Sequence, residues 1–76
     1  MNKEKIGAFI LENRKALGMT QEELAERLFV TNKAVSKWEK GKSFPDITLF
    51  EPLSEALGIT VSELIAGKGK CLRKQQ

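Results

Sequence analysis

The chain has 76 residues, 41% of them apolar and 30% charged, with 13 basic against 10 acidic residues for a formal net charge of +3. A chain this short buries only about 60% of the surface it exposes unfolded, so one compact domain is expected, with no room for a second catalytic lobe. A single cysteine and no histidine exclude an internal disulfide and the usual zinc constellations, so no metal or cofactor is expected. No run of about 18 apolar residues is available to cross a bilayer, and charge interrupts the amino-terminal apolar residues too soon for a signal peptide, which predicts a cytoplasmic protein.

In chain order, helical spacing of apolar residues predicts a first helix over 3–17, with Ile6, Ile10 and Leu17 facing inward and Gly18 closing it. Arg14 falls on that same stripe, four residues after Ile10. Three later helices, over 21–28, 49–57 and 61–66, open on the same pattern: an apolar residue, a threonine, two spacers, a glutamate, and an apolar residue or proline. The instances are Met19-Thr20-Gln21-Glu22-Glu23-Leu24, Ile47-Thr48-Leu49-Phe50-Glu51-Pro52 and Ile59-Thr60-Val61-Ser62-Glu63-Leu64. In each, the threonine hydroxyl accepts a backbone N–H three residues on, the glutamate reaches back to the threonine N–H, and the apolar pair staples the helix start. The helix over 32–40 starts on Val30-Thr31-Asn32-Lys33-Ala34-Val35, which lacks only the glutamate.

The inward residues of these helices are Leu24, Ala25 and Leu28, then Val35 and Trp38, then Leu49, Leu53, Ala56 and Leu57, then Leu64. Pro52 falls in the first turn of its helix, where the missing N–H is tolerated best. Gly41, Gly58 and Gly67 punctuate the helix ends. Residues 1–67 thus form an all-α, five-helix domain, and 68–76, a basic tail with neither periodicity nor caps, is expected to be disordered or the start of a linker.

Overall basicity is a poor guide to partners, because Lys68, Lys70, Arg73 and Lys74 all lie in that tail; residues 1–66 hold nine basic against ten acidic residues, a formal −1. What counts is local. Lys33, Lys37, Lys40 and Lys42 cluster around the single acid Glu39, a footprint that suits a phosphate backbone. Helical spacing puts Val35, Trp38 and Glu39 on one face of the third helix and Lys33, Ser36, Lys37 and Lys40 on the other, with Asn32 at its exposed start. That outer face has no large apolar residue, and its lysines, amide and hydroxyl suit the edges of guanine and adenine in a major groove. Arg14 and Glu39 both stand on apolar stripes; since neither charge is left buried alone, they are expected to pair and fix the angle between the first and third helices.

The stretch QEELAERLFVTNKAVSKWEK, residues 21–40, resembles the Xre/Cro-type helix-turn-helix of phage repressors and bacterial regulators. Gln21, Leu24, Ala25, Leu28, Val30, Val35 and Trp38 stand at that family's key places, and the likeness extends from about Ile6 to Gly67 through the WEKG, SFPDI and LGITVSEL segments. The resemblance implies sequence-specific binding to a double-stranded DNA operator as a transcription regulator, more often a repressor than an activator. The helix at 32–40 would lie in the major groove, with Asn32, Lys33, Ser36 and Lys37 reading bases. Gln21, Thr31, Lys40 and Lys42 would hold phosphates. It also implies a homodimer on DNA, with Val61 and the end of the fifth helix in contact, an absent C-terminal effector domain if the tail is a linker, and an Arg14–Glu39 ion pair of the kind phage repressors have.

The sequence departs from the family at Phe29, in the turn where glycine or asparagine is usual and where positive φ costs a bulky residue about 1–2 kcal/mol. Lys33 and Lys37 replace glutamines found in some relatives, so no relative's operator transfers. The alternative is a protein-interaction module of the same fold, which would show apolar anchors on the third helix rather than a cationic face. Catalysis lacks a plausible acid, base or nucleophile beyond surface carboxylates and Cys71.

Overall fold

A computed structural model describes residues 2–67, and all regular structure among them is helical. The elements are α1 (Lys3–Ala16), α2 (Gln21–Leu28), α3 (Asn32–Glu39), a 3-10 turn (Ile47–Leu49), α4 (Phe50–Leu57) and α5 (Val61–Ala66). The tail at 68–76, with Cys71, lies outside the described residues.

Two of the three expected capping boxes form in full. Thr20 accepts from Glu23 N and Glu23 accepts from Thr20 N, at 3.0 and 2.8 Å; Thr60 and Glu63 repeat the arrangement at 3.0 and 2.9 Å. Thr31 caps α3 alone, accepting from Ala34 N at 3.2 Å. The box expected at Thr48 does not form. Asp46 takes the capping role two residues earlier, accepting from both the backbone N–H and the hydroxyl of Thr48. This opens a 3-10 turn, and α4 then starts at Phe50 with no side-chain cap. Those two bonds to the carboxylate hold the Asp46 pKa below its ordinary value, the hydroxyl contributing more than the N–H. Pro52 is the third residue of α4, among the first-turn positions whose N–H has no partner inside the helix.

Helices α1 to α4 end in one way. The cap residue in α2 and α4, and the residue after it in α1 and α3, takes a left-handed conformation, and the next N–H reaches back five residues: Met19 to Arg14, Val30 to Ala25, Lys42 to Lys37 and Ile59 to Ser54, at 2.9–3.1 Å. Three of those left-handed residues are glycine; the fourth is Phe29, with φ 59° and ψ 42°. Phe29 adopts that strained conformation without packing in return, its side chain being 95% exposed.

Every helix sends at least one side chain to the centre: Ile6 and Ile10 from α1, Leu24 from α2, Val35 from α3, Leu53 from α4 and Leu64 from α5 are 0–1% exposed. Each such burial stabilises by about 1.5–3 kcal/mol. Leu17, expected in the core, is 54% exposed; it follows the last residue of α1 as the C-cap. Phe9, Phe50 and Ile59 take buried places that the spacing did not mark. Leu49 and Ala56 are only partly buried, at the edge of the cluster.

Candidate nucleic-acid interface

The third helix is held by three contacts on its inner side. Val35 and Trp38 pack in the core at 0% and 4% exposure. At its carboxyl end the backbone meets α1 so closely that a Cβ built on Gly7 would lie 2.0 Å from the Trp38 carbonyl oxygen. Only glycine permits that approach. The same carbonyl accepts from Gly41 N at 3.0 Å, so the end of α3 and the start of the next loop are fixed against α1 together.

The third contact is electrostatic. Arg14 Nε donates to Glu39 Oε2 at 2.6 Å and Arg14 Nη2 to Glu39 Oε1 at 3.1 Å, a two-pronged pair between side chains that are 11% and 4% exposed. Arg14 Nη1 also donates to the Met19 carbonyl at 2.7 Å, and Gln21 Nε2 to Glu39 Oε1 at 2.8 Å. One network therefore joins α1, the loop after it, the first residue of α2 and the last of α3. Among the described residues no buried side-chain N or O lacks a hydrogen-bond partner, as a network at this depth requires.

The outer side of α3 is different in kind. Asn32, Lys33 and Lys37 are exposed and Ser36 is half-buried, on the face opposite Val35 and Trp38. Lys40 caps the helix and is exposed. None of these side chains is hydrogen-bonded or ion-paired to another described residue. The arrangement offers long cations and one amide on a helix whose backbone is immobilised from behind.

The three remaining expected positions are spread around α3. Thr31 is exposed with its hydroxyl committed to the cap; Lys42 is exposed just past the left-handed Gly41. Gln21 opens α2, half-buried, with its amide turned inward to Glu39, so its outward polar group is the backbone N–H of the first turn rather than the side chain. That tie had no sequence signal. Gly7 did have one, since an isolated glycine in a periodic helix marks a close approach.

Among the described residues no catalytic constellation assembles. One shallow hollow is lined by Leu17, Gly18, Met19, Glu23, Glu26 and Arg27, another by Glu22, Ala25, Glu26, Val30 and Asn32. Among the described residues no three His, Cys, Asp or Glu side chains converge as metal ligands, and no helix is long and apolar enough to cross a membrane.

Comparison with known proteins agrees with this geometry. The sequence pattern of the helix-turn-helix family matches residues 10–64. The HTH-type transcriptional activator BcrR of Enterococcus faecalis is 40% identical over 55 residues, covering 72% of this chain and 27% of that protein. An uncharacterized HTH-type transcriptional regulator of Methanothermobacter thermautotrophicus is 49% identical over 49 residues, 64% of this chain and 71% of that protein. Among solved structures, the P22 c2 repressor protein, in complex with a synthetic operator, superposes with a TM-score of 0.79 at 32% identity, over 83% of this chain and 96% of that one. The chain thus spans about a quarter of the length of BcrR and most of the other two.

Proposed function

The chain belongs to the Xre/Cro-type helix-turn-helix family, and from that membership we propose that it is a cytoplasmic transcription regulator that binds a double-stranded DNA operator sequence-specifically. The observation that carries the reading is the division of α3 into a face locked to the core and an opposite face of free cations and an amide.

In this reading α3 lies in the major groove. Asn32 pairs with adenine, Lys33 and Lys37 reach guanine, and Ser36 serves where space is tight. Phosphate contacts come from Lys40 and Lys42, from the Thr31 hydroxyl, and from the backbone N–H groups of the first turn of α2 at Gln21, where the helix dipole favours an anion. The Gln21 amide orients Glu39 and hence α3.

The relatives carry both regulatory signs, BcrR being called an activator and P22 c2 a repressor. The likeness to the P22 c2 repressor, over 83% of this chain and 96% of that one, supports repression. We read it as a homodimer on a two-fold operator, with Val61 and the end of α5 in contact. By the same reading it is a binding domain and not an enzyme, and an effector domain beyond the tail would match the greater length of BcrR.

Selection from a pool of random duplexes tests this. The chain is expected to enrich two related half-sites about 10–10.5 base pairs apart, centre to centre. Failure to enrich any sequence would leave a protein-interaction module of the same fold.

A further inference from the structure

Of the four left-handed residues that end α1 to α4, three are glycine. At two of these, Gly18 and Gly58, a Cβ would meet no atom within 4 Å, so glycine stands there for its conformation and not for want of space. The end of α2 breaks the rule. Phe29 holds φ 59° and ψ 42° with 95% of its surface exposed, more than any other large apolar residue among those described. The folded chain gains neither backbone ease nor burial from this side chain, and a backbone outlier kept without internal return points to a contact outside the chain.

The turn that Phe29 opens leads directly to the start of α3. Its N–H donates to the Glu26 carbonyl at 3.3 Å and the Val30 N–H to the Ala25 carbonyl at 3.0 Å, which folds the turn back on α2. Thr31, Asn32 and Lys33 follow at once, all exposed. Asn32 shares a shallow hollow with Glu22, Ala25, Glu26 and Val30, so the start of α3 and the outer side of α2 border the same stretch of surface. Phe29 stands three residues before Asn32, a span of at most about 10–11 Å even for an extended chain. The carboxylates of Glu22 and Glu26 on this stretch disfavour a phosphate, which leaves the uncharged edge of a base as the part of a duplex that suits a phenyl ring here.

We propose that Phe29 is a further specificity residue, whose ring packs against the C5-methyl of a thymine at the edge of the major groove, beside the base pair that Asn32 reads. The inference rests on the reading that α3 enters the major groove with its first residues nearest the bases. The thymine methyl is the apolar group that a base pair presents in that groove, and an apolar side chain is what recognises it. The contact buries the exposed ring only when DNA is bound, and it adds to the lysines and amide of α3 a preference that none of them supplies. Because no phosphate is neutralised, it leaves the salt dependence of binding as it was.

The test uses the full chain as wild type, Phe29→Gly and Phe29→Ala, with circular dichroism checking that the variants stay folded. Each is titrated by fluorescence anisotropy against a selected operator and against operators in which one thymine at a time, in both half-sites, is replaced by deoxyuridine. That exchange removes the methyl and keeps every hydrogen-bonding group of the base. At one position wild type should lose about fourfold in affinity per half-site, the worth of one buried methyl. Both variants should bind the thymine operator more weakly than wild type by at least that factor, should not distinguish thymine from deoxyuridine at that position, and should keep the wild-type salt slope. Wild-type operator affinity in the variants overturns this inference and leaves the α3 reading standing. No deoxyuridine effect in wild type, or the same effect in all three proteins, overturns it as well. Wild-type protein that prefers no sequence overturns both readings.

Discussion

The two faces of α3 differ in how much the rest of the molecule knows about them. The inner face is fixed three times over, by the burial of Val35 and Trp38, by the contact that Gly7 permits and by the Arg14–Glu39–Gln21 network. The outer face is tied to nothing among the described residues. A helix built this way keeps a constant angle while its exposed residues change freely, so stability and sequence preference should be separable by mutation.

The largest effect is expected at Glu39. Glu39→Ala leaves Arg14 nearly buried without its partner and should cost about 3–5 kcal/mol of unfolding free energy in denaturant titration, enough to threaten a domain this small. Replacing both partners with apolar residues should recover much of that loss. A double-mutant cycle with coupling indistinguishable from zero would mean that packing alone sets the helix angle. Next is Gly7→Ala, which drives a methyl into the Trp38 carbonyl and should cost about 1–3 kcal/mol in the same assay, although alanine is the better helix former. An unchanged midpoint would show that α1 and α3 shift apart without penalty.

Much of this frame is written in the sequence. Threonine caps mark three of the helix starts, two of them with the full box, and Arg14 and Glu39 betray themselves as charges on apolar stripes. What the sequence hides is competition between local groups. Asp46 is as good a cap as Thr48 and lies earlier in the chain, so the turn it opens moves the start of α4 to Phe50. Leu17 has the spacing of a core residue but comes after the last residue of α1. The inward turn of the Gln21 amide depends on an acid 18 residues away, which no local pattern reveals. The outer face of α3 was legible as a polar, cationic surface, because one helix period suffices to separate it from Val35 and Trp38.

Smaller effects probe the ends of helices that lie outside the comparison. Thr60→Ala removes a complete capping box and should cost about 1 kcal/mol, whereas Thr48→Ala, whose hydroxyl caps nothing, should cost clearly less. Equal losses would mean that Thr48 supports α4 after all. Phe29→Gly should leave the melting temperature equal or slightly raised, since it relieves about 1–2 kcal/mol of left-handed strain and removes a side chain with almost no packing, against the greater chain entropy of glycine. A fall of many degrees would show that Phe29 packs more than its exposure indicates.

The separation of reading from holding is tested most directly by measuring affinities for a selected operator and its single-base variants with wild type, Lys33→Ala, Lys37→Ala and Lys42→Ala. Lys33→Ala and Lys37→Ala should each cost about 1–3 kcal/mol on the preferred site and lose discrimination at one or two positions. Lys42→Ala should weaken all sequences alike and reduce the salt slope by about 0.9. The same uniform loss in all three variants, with every base preference intact, would contradict the assignment of base reading to the outer face of α3.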